Sequence, residues 1–468
     1  MKYTAINIGP ILSTLGMARK PRELWAASYM FSHLMSCIYL KAKQKCDIIS
    51  PAEPDKSLTG VGIYPDRIYI KGECDAKSII DDAMWDFYSD LHDGKKERSS
   101  NNPDLNYFNV MSAECEANGD SRAIATLNQK LDVLELCNLA ADCDLAKNIY
   151  GIISKRVFSS LFELATGKDR LPIPELKTIA NAQREANKDV KEKSHHRYFC
   201  VVQADGDNVG KTVSNSGLKD GAVTEISKAL VKFGQDATKI IRDYGGLPIY
   251  AGGDDLLFIA PVTGNDNTHI FNLLDKIENE AFSGVHQAVY NTGIEDEDGN
   301  KIEASLSFGV SISYYKYPLY EALESARDLL FGTAKHITAK KAIAWSLRKH
   351  SGETFDAAFS LKDDTLKTQF MDLIAATVDG NTVSAVAHKI RQEEALVDIV
   401  LESGNMGRLD ALFDRVLEFD SVKPAYFDAV KKIMPTLYTV IGKENYAQTL
   451  YSILRTAKFI NGEDLRDE

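Results

Sequence analysis

The sequence predicts an α+β fold in which two βαββαβ units are separated by a helical insert and followed by a helical bundle. Strand-like apolar runs alternate with amphipathic helical stretches twice, once over residues 1–116 and once over residues 196–350. Residues 117–195 and 351–468 carry apolar residues at helical spacing and show no convincing strand, and the polar segment 182–197 is expected as a connector. We therefore expect four domains with these boundaries.

The first unit, residues 1–116, begins with a predicted strand at Tyr3–Ile8, which Gly9-Pro10 ends. Pro21 then opens a helical stretch at about 22–41, since proline suits the first turn of a helix. The remaining predicted elements are a strand at 67–70, a helix at 76–92 and a strand at 107–111. This order is that of a ferredoxin-like unit.

The second unit, residues 196–350, repeats the order more clearly. A buried strand at 198–202 precedes an amphipathic helix at 222–244, which Gly245-Gly246 stops. Two further strands, 247–250 and 256–259, are joined by Ala251–Asp255. The predicted elements that complete the unit are a helix at 266–289, a strand at 304–313 and a helix at 318–336.

Composition and charge exclude several classes of protein. The 468 residues are 44% hydrophobic and 26% charged, which is ordinary for a globular chain, and the formal charge is −12. This acidic balance argues against a free-standing protein that coats nucleic acid by bulk charge. The sequence shows neither a membrane-spanning apolar run nor a secretion signal, so we expect a cytoplasmic protein without membrane contact. The seven cysteines form no CxxC pair, so neither a disulfide framework nor a zinc ribbon is predicted.

Aspartates follow the first strand of the second unit and occupy its hairpin. Ala204-Asp-Gly-Asp-Asn closes the first strand, and Gly252-Gly-Asp-Asp lies between the second and third strands. The first and third strands of this topology are antiparallel neighbours, so Asp205 should lie close to Asp254 and Asp255. Clustered carboxylates favour two divalent ions, Mg²⁺ or Mn²⁺, that hold a triphosphate. The glycines also fit an ordinary hairpin turn without catalytic meaning.

Phosphate binding requires positive charge near these loops. Lys335, near the end of the helix at 318–336, is one candidate, although a lysine there also suits the helix dipole. Lys211, just after the Asp205 loop, is the other, although a solvated surface lysine explains it equally well. Together with Gly206, Asp207, Gly252 and Gly253, these residues form the predicted nucleotide-binding set.

Three segments of the second unit carry a resemblance to a known family. Ala204-Asp-Gly-Asp-Asn, Tyr250-Ala-Gly-Gly-Asp-Asp-Leu-Leu and Ser305-Leu-Ser-Phe-Gly-Val-Ser-Ile resemble the palm domain of polymerases and cyclases related to GGDEF proteins. At the N-terminus, Ile8-Gly-Pro-Ile and Ala18-Arg-Lys-Pro-Arg-Glu-Leu-Trp-Ala-Ala-Ser-Tyr resemble the first palm of the large subunit of type III CRISPR effector complexes, of the Cmr (III-B) kind. The domain order of the whole chain fits that family.

The resemblance implies two ferredoxin-like palms that face each other and an activity in which ATP is the substrate of nucleotidyl transfer. Target RNA that pairs with the guide RNA would switch this activity on, within a complex of other Cmr-type subunits. The resemblance maps the catalytic and metal-binding carboxylates onto Asp205, Asp254 and Asp255, and the phosphate lysine onto Lys335. The first palm reads Ile63-Tyr-Pro-Asp-Arg-Ile in place of GGDD, and would contribute to a nucleotide cleft without metal chemistry.

The sequence departs from the family pattern at two points. Many members begin with an HD nuclease domain, whereas this sequence begins at the palm strand, so we expect no DNase activity. His33, the first histidine, lies in an apolar helical pattern and is expected in the core. Many members also hold zinc between the palms, but Cys137 and Cys143 have no partnering pair and are expected as buried thiols.

The product and the role of the chain stay open at this point. The adenylate product could be a cyclic oligoadenylate, or AMP joined to S-adenosylmethionine as acceptor. The alternatives to an enzyme of this kind are a non-catalytic scaffold subunit of the same complex and a free-standing GGDEF-like cyclase. Candidate RNA contacts are the basic residues before the first helix and those after Lys335, namely Arg19, Lys20, Arg22, Lys340, Lys341, Arg348 and Lys349.

Overall fold

The computed structural model describes residues 1–54, 60–91, 103–137, 165, 173–219, 221–376, 380–415, 424–443 and 445–462. Two β-sheets organise this part of the chain, one in each βαββαβ unit. The α+β class predicted from the sequence is therefore confirmed. Within the described ranges, no helix is both long enough and apolar enough to cross a membrane.

The first sheet has four strands in the order β2-β3-β1-β4, which is the order of a ferredoxin-like fold. The strands are β1 (Lys2–Gly9), β2 (Asp47–Ser50), β3 (Arg67–Lys71) and β4 (Asn109–Glu116). All neighbouring pairs are antiparallel, with Ile6 opposite Ile68 in the centre. The sequence pattern missed β2, because its four residues include only two apolar ones and give no alternation to read.

The helices of this half are α1 (Ile11–Leu15), α2 (Pro21–Lys43), α3 (Ala76–Leu91) and α4 (Asp120–Cys137). Helix α2 begins at Pro21 as predicted and is buried along most of its length. Its Ser28 hydroxyl donates to the Ile249 carbonyl of the second unit at 2.9 Å. The helix is therefore packed between the two units and joins them. Of the rest of the predicted helical insert, residues 138–164 lie outside the described residues.

The second sheet has six strands in the order β10-β9-β8-β5-β7-β6. The strands are β5 (Tyr198–Asp207), β6 (Leu247–Gly252), β7 (Asp255–Pro261), β8 (Ser305–Tyr314), β9 (Ala342–Arg348) and β10 (Thr354–Ser360). The first four form the ferredoxin-like order, and β9 extends it by pairing parallel to β8. Strand β5 is central and antiparallel to both β7 and β8.

Strand β10 corrects the expectation that residues 351–468 contain no strand. Thr354–Ser360 pairs antiparallel with β9, so the predicted boundary at residue 350 falls inside a hairpin. The segment Thr-Phe-Asp-Ala-Ala-Phe-Ser alternates weakly and gains its order from the sheet that it extends. The helices after it begin at Asp364.

The helices of the second half pack on this sheet or follow it. They are α5 (Leu176–Ala180), α6 (Ala182–Ala186), α7 (Val209–Val213), α8 (Ala222–Tyr244), α9 (Ile270–Lys276), α10 (Ser283–Tyr290), α11 (Leu319–Asp328), α12 (Asp364–Ala376), α13 (Gly380–Gln392), α14 (Glu394–Glu402), α15 (Met406–Arg415), α16 (Pro424–Ile441) and α17 (Tyr446–Gly462). The Trp345 indole in β9 donates to Thr456 in α17 at 3.0 Å. The apolar core is continuous from the second sheet into these C-terminal helices.

Two helices predicted as continuous are interrupted by π-helical turns. The helix expected at 266–289 contains a π segment at Ile277–Ala281, and the one expected at 318–336 contains one at Leu329–Thr333. The second is followed by a 3₁₀ turn at Ala334–His336. π turns often occur at functional sites. Here Lys335 lies in the 3₁₀ turn directly after the π segment.

The polar segment 182–197, expected as a connector, is more ordered than predicted. It contains α6 and a 3₁₀ turn at Ser194–Arg197. His195 and His196 in this turn are buried, and His196 Nε2 lies 2.6 Å from Gln183 Oε1. The predicted connector is thus packed into the fold.

Candidate active site

The Asp205 loop and the GGDD hairpin meet at one end of the central strands. Asp205 lies near the end of β5, where Ala204 is opposite Leu256 of β7. The β6–β7 hairpin turns at Gly253, which has φ +65°. This left-handed conformation favours glycine and places Asp254 and Asp255 at the start of β7. The topology therefore brings the two acidic segments together, as predicted.

Close contacts join the three aspartates, which we call the carboxylate cluster: Asp205, Asp254 and Asp255. Burial raises the pKa of Asp255, and a side-chain interaction with Asp205 contributes to this shift. Asp254 lies against Gly206, because a Cβ at Gly206 would be 2.7 Å from both Cβ and Oδ2 of Asp254. The predicted meeting of these carboxylates is thus observed in the structure.

Crowding changes the protonation of the cluster. Burial and the neighbouring Asp205 charge raise the pKa of Asp254 to about 7, with Lys335 opposing the shift. Burial and the charges of Asp254 and Asp205 raise the pKa of Asp255 well above its usual range. At neutral pH the cluster therefore retains protons that a bound cation would displace.

Lys335 is the cation nearest to the Asp205 loop. Its ammonium group forms ion pairs with Asp205 and, at 2.8 Å, with Asp207. It also donates to the backbone carbonyls of Asp205 and Gly206, each at 2.9 Å. Burial lowers the pKa of Lys335, but the charges of Asp205 and Asp207 outweigh this effect and raise it overall. The lysine is therefore charged and fixes the loop.

Asp207 has a different position from the one expected of a nucleotide-binding residue. Its side chain is 1% exposed, and besides Lys335 it accepts hydrogen bonds from the hydroxyls of Ser305 and Ser307 at 2.9 and 2.8 Å. The backbone N–H of Lys341 donates to it at 3.1 Å. These donors leave the carboxylate no free side for a nucleotide. Asp207 instead holds Lys335 in place, which corrects the expectation.

The other predicted nucleotide contacts are positioned as follows. Gly206, Gly252 and Gly253 line the two loops of the cluster, with Gly252 packed against the Tyr250 ring. Lys211 is exposed on α7, directly after the Asp205 loop. Its contact with phosphate stays a prediction.

The basic residues after Lys335 are mostly engaged within the chain. Lys340 donates to the Lys335 carbonyl at 2.7 Å, and Lys341 lies 3.5 Å from Glu278. Arg348 donates to the Tyr317 hydroxyl. Lys349 is only 6% exposed, so it is not the surface contact for RNA that was expected. Arg19, Lys20 and Arg22 are exposed.

The first unit supplies an acid that sequence reasoning missed. Asp66 raises the pKa of both Asp254 and Asp255, and burial raises its own pKa. It belongs to the segment Ile63-Tyr-Pro-Asp that takes the place of GGDD in this unit. The position of this segment in place of GGDD was the signal that could have identified Asp66. It was missed because the first unit was expected to take no part in metal chemistry.

The segment around Asp66 is fixed against the catalytic hairpin. The Ala251 N–H donates to the Gly62 carbonyl at 2.8 Å, and Gly62 pairs in parallel with Tyr250. The Ser32 hydroxyl of α2 accepts from the N–H groups of Ile63 and Tyr64, both at 3.0 Å. Both units therefore build the site.

A small cleft with a cavity volume of about 30 Å³ lies beside Gly253. Its lining is largely apolar and comes from both units: Ser50, Pro51, Pro54, Ile63, Pro65, Ser227, Leu230, Val231, Gln235, Ala251 and Gly253. The cleft therefore lies between the two units, beside the hairpin that carries Asp254 and Asp255.

The residues present fit divalent cations. Lys335 supplies a single positive charge to a site with four carboxyl groups, those of Asp207 and the carboxylate cluster. Burial, together with the charges of the neighbouring carboxylates, raises the pKa values of Asp254 and Asp255. Oxygen ligands are those preferred by Mg²⁺ and Mn²⁺.

Fold and site together define a palm domain of the class found in nucleotide polymerases and cyclases. Residues 198–344 match the family model described as Cas10/Cmr2, second palm domain. Residues 3–67 match the model described as CRISPR-associated protein Cmr2, N-terminal. The predicted resemblance to the large subunit of type III-B complexes is confirmed by these matches, since residues 3–67 and 198–344 are both similar to Cmr2.

A curated relative and several solved structures agree with this result. The Cmr subunit Cmr2 of the Pyrococcus furiosus CRISPR system is 30% identical over 185 residues, covering 34% of this chain and 19% of that protein. The alignment thus spans about a fifth of the relative's length.

The fold is shared with type III effector subunits of low sequence identity. A chain of Type III-B Cmr-beta in the apo state has a TM-score of 0.60 at 10% identity and covers 99% of this chain and 82% of its own length. A chain of Cmr-beta bound to cognate target RNA has a TM-score of 0.55, with coverage of 98% and 83%. A chain of the Csm1-Csm4 cassette in complex with pppApApA has a TM-score of 0.51, with coverage of 98% and 69%.

Proposed function

We propose that this chain is the nucleotidyltransferase subunit of a type III-B CRISPR effector complex. It uses ATP to make an adenylate second messenger when guide RNA pairs with target RNA. The observation that carries the proposal is the meeting of Asp205, Asp254 and Asp255 beside a cleft built by both units. The matches to Cas10/Cmr2 models support the same assignment.

In this proposal a 3′-hydroxyl attacks the α-phosphate of ATP, and the bond to pyrophosphate breaks. Asp205, Asp254 and Asp255 would hold two divalent cations, which supply charge neutralisation and an acidified hydroxyl when bound. Lys335 keeps Asp205 in place through its ion pair and its bonds to the loop carbonyls. Asp207 in turn fixes Lys335.

The base of ATP would lie over the mouth of the cleft, since the cleft itself, at about 30 Å³, holds only a few water molecules. Pro51, Leu230 and Val231 offer apolar surface for a base, and Ser227 and Gln235 offer hydrogen-bonding groups beside it. The preference for adenine follows from the resemblance to the family. The neighbouring structure with pppApApA concerns a related fold, and supports this choice without fixing the product.

Two products are compatible with the site. A second ATP bound in the cleft region would give a linear or cyclic oligoadenylate. S-adenosylmethionine, which also presents ribose hydroxyls, would give a conjugate with AMP. Product analysis distinguishes them.

The proposed partners are the other Cmr-type subunits, the guide RNA and the target RNA. A chain of the same fold is solved in Cmr-beta bound to cognate target RNA. On this chain, the exposed Arg19, Lys20 and Arg22 at the start of α2 are candidates for RNA contacts.

The alternative is a scaffold subunit without catalysis. Its aspartates would be turn residues only, yet burial of Asp254 and Asp255 beside Asp205, which raises the pKa values of Asp254 and Asp255, offers a scaffold no stability. A free-standing cyclase of the GGDEF kind is the other alternative, and it would act without guide and target RNA.

The decisive experiment combines the reconstituted complex, target RNA, Mg²⁺ and ATP, with and without S-adenosylmethionine, and identifies products by mass spectrometry. We expect an adenylate product and pyrophosphate only with target RNA. Asp254→Ala with Asp255→Ala should abolish both. The control Glu297→Ala with Asp298→Ala, in an exposed loop of the same unit, should leave them unchanged. Unaltered ATP turnover in the first variant would establish the scaffold, and turnover without RNA would favour the free cyclase.

A further inference from the structure

A second group of potential metal ligands lies on the helices of the first unit. His33 and Cys37 are one helical turn apart on α2, and Asp90 faces them from α3. Residues four apart lie on the same face of a helix, which is how two ligands of one helix reach one ion. This group is separate from the carboxylate cluster of the second unit.

The ligand atoms of the group are close together. His33 Nε2 lies 2.9 Å from Asp90 Oδ2 and 4.0 Å from Cys37 Sγ, and all three atoms are within 4.8 Å of one another. In a tetrahedral zinc site, bonds of about 2.0–2.3 Å place neighbouring ligand atoms roughly 3.3–3.7 Å apart. Shifts of about 1 Å or less in the side chains would therefore accommodate an ion.

The surroundings permit these shifts and shield the ion. Cys37 is 6% exposed, the His33 side chain is 14% exposed, and the Asp90 side chain, which contacts His33, is 41% exposed. The His33 ring stacks on Tyr29, at 6.2 Å between centroids, and packs near Phe87 at 6.0 Å. Imidazole and thiol are thus oriented by packing, and the carboxylate closes the site from the solvent side.

The donor set selects the kind of ion. A thiolate and a carboxylate together balance two positive charges, and a neutral imidazole adds no charge. Sulfur and imidazole nitrogen favour zinc-like ions over Mg²⁺ and Mn²⁺, which prefer oxygen. Three protein ligands leave one position of a tetrahedron for water.

We propose that His33, Cys37 and Asp90 bind one zinc-like divalent ion that ties α3 to α2. On binding, Cys37 releases its thiol proton to solvent, and His33 offers the lone pair of Nε2. The ion would also influence the second unit, because α2 carries Ser28 and Ser32. Ser28 hydrogen-bonds to Ile249, and Ser32 hydrogen-bonds to the loop beside the GGDD hairpin.

The test uses the full chain and Co²⁺, which substitutes for Zn²⁺ and gives a thiolate-to-cobalt charge-transfer band. The chain is stripped with chelator and titrated with Co²⁺, and the band is followed by absorption. We expect one equivalent to produce the band and Zn²⁺ to remove it. Cys37→Ser should abolish the band, and His33→Gln or Asp90→Asn should weaken Co²⁺ binding by about tenfold or more.

Two controls separate this site from others. Asp254→Asn with Asp255→Asn removes carboxylates only and should leave the band unchanged. Cys46→Ser with Cys74→Ser removes the other close thiols, whose sulfurs are 3.1 Å apart, and should also retain it. Circular dichroism establishes that each variant is folded. The absence of a band in the parent chain, its persistence in Cys37→Ser, or its loss with the Cys46 and Cys74 changes would overturn the proposal.

Discussion

Gly206→Ala would test the geometry of the carboxylate cluster with a single methyl group. A Cβ at this position would lie 2.7 Å from Cβ and Oδ2 of Asp254 and 3.0 Å from Val209 Cγ2. Ordinary contacts begin at 3.4 Å, so Asp254 must move by about 0.7 Å. The Asp254 carboxylate alone could rotate, but its Cβ moves only with the backbone of the hairpin.

The expected effect on activity is large and the effect on the fold is small. Misplacement of a reacting or metal-binding group by about 1 Å lowers a rate by roughly a hundredfold. Overpacking by one methyl group typically destabilises a protein by about 1–3 kcal/mol. We therefore expect target-stimulated ATP turnover to fall by about a hundredfold in a chain that remains folded at assay temperature.

The assay measures turnover in the reconstituted complex, and Mn²⁺ affinity of the isolated chain by electron paramagnetic resonance. Gly210→Ala is the matched control, because it lies four residues further along, where a new Cβ meets nothing within 4 Å. We expect Gly210→Ala to keep both turnover and Mn²⁺ affinity. Unchanged turnover and unchanged Mn²⁺ affinity in Gly206→Ala would refute the arrangement described for Asp254 and the Asp205 loop.

Three further predictions concern stability. Lys335→Met leaves the buried Asp207 without its ion-pair partner, so we expect the free energy of unfolding, measured in urea, to fall by about 3–5 kcal/mol. An unchanged unfolding midpoint would contradict this. Ser32→Ala leaves the N–H groups of Ile63 and Tyr64 unsatisfied and should lower the free energy of unfolding by about 1–3 kcal/mol. Ser36→Ala should cost less, because the Ser36 hydroxyl bonds to the His33 carbonyl within α2. Equal losses would show that Ser32 does not hold the Ile63–Tyr64 segment. Burial lowers the pKa of His195 from 6.5 to about 3, so the unfolded chain binds a proton below pH 6.5 that the folded chain does not. His195 should therefore contribute a loss of about 1.4 kcal/mol of stability per pH unit from pH 6.5 towards 3, and His195→Gln should flatten the measured slope by that amount.

The sequence was most informative where local pattern and topology agreed. The helix predicted at 222–244 has the bounds expected of it, and the hairpin around Gly252 lies where it was predicted, with both strands longer than expected. The meeting of Asp205 with Asp254 followed from strand order alone, because neighbouring antiparallel strands bring one strand's end beside the other's start.

Other features depend on contacts that no local pattern encodes. Strands β2 and β10 are short or weakly alternating, and they form because β3 and β9 offer partners. Asp207 and Lys335 were both predicted as nucleotide contacts, but in the structure they form an ion pair with each other. The packing of β5, β8 and the π turn decides this, and no local sequence pattern encodes that packing. Asp66 was overlooked because its effect on the pKa of Asp254 depends on the two units lying against each other.

The position of β6 at the end of its sheet has a consequence for how the chain can be divided. An unpaired edge strand exposes backbone groups that recruit other strands and promote aggregation. Here Gly62 pairs with that edge at Tyr250, and α2 packs over it. Shortening the protein to its second unit would therefore expose the β6 edge and also remove the first unit's share of the site, so the N-terminal half protects this edge from pairing with strands of other molecules.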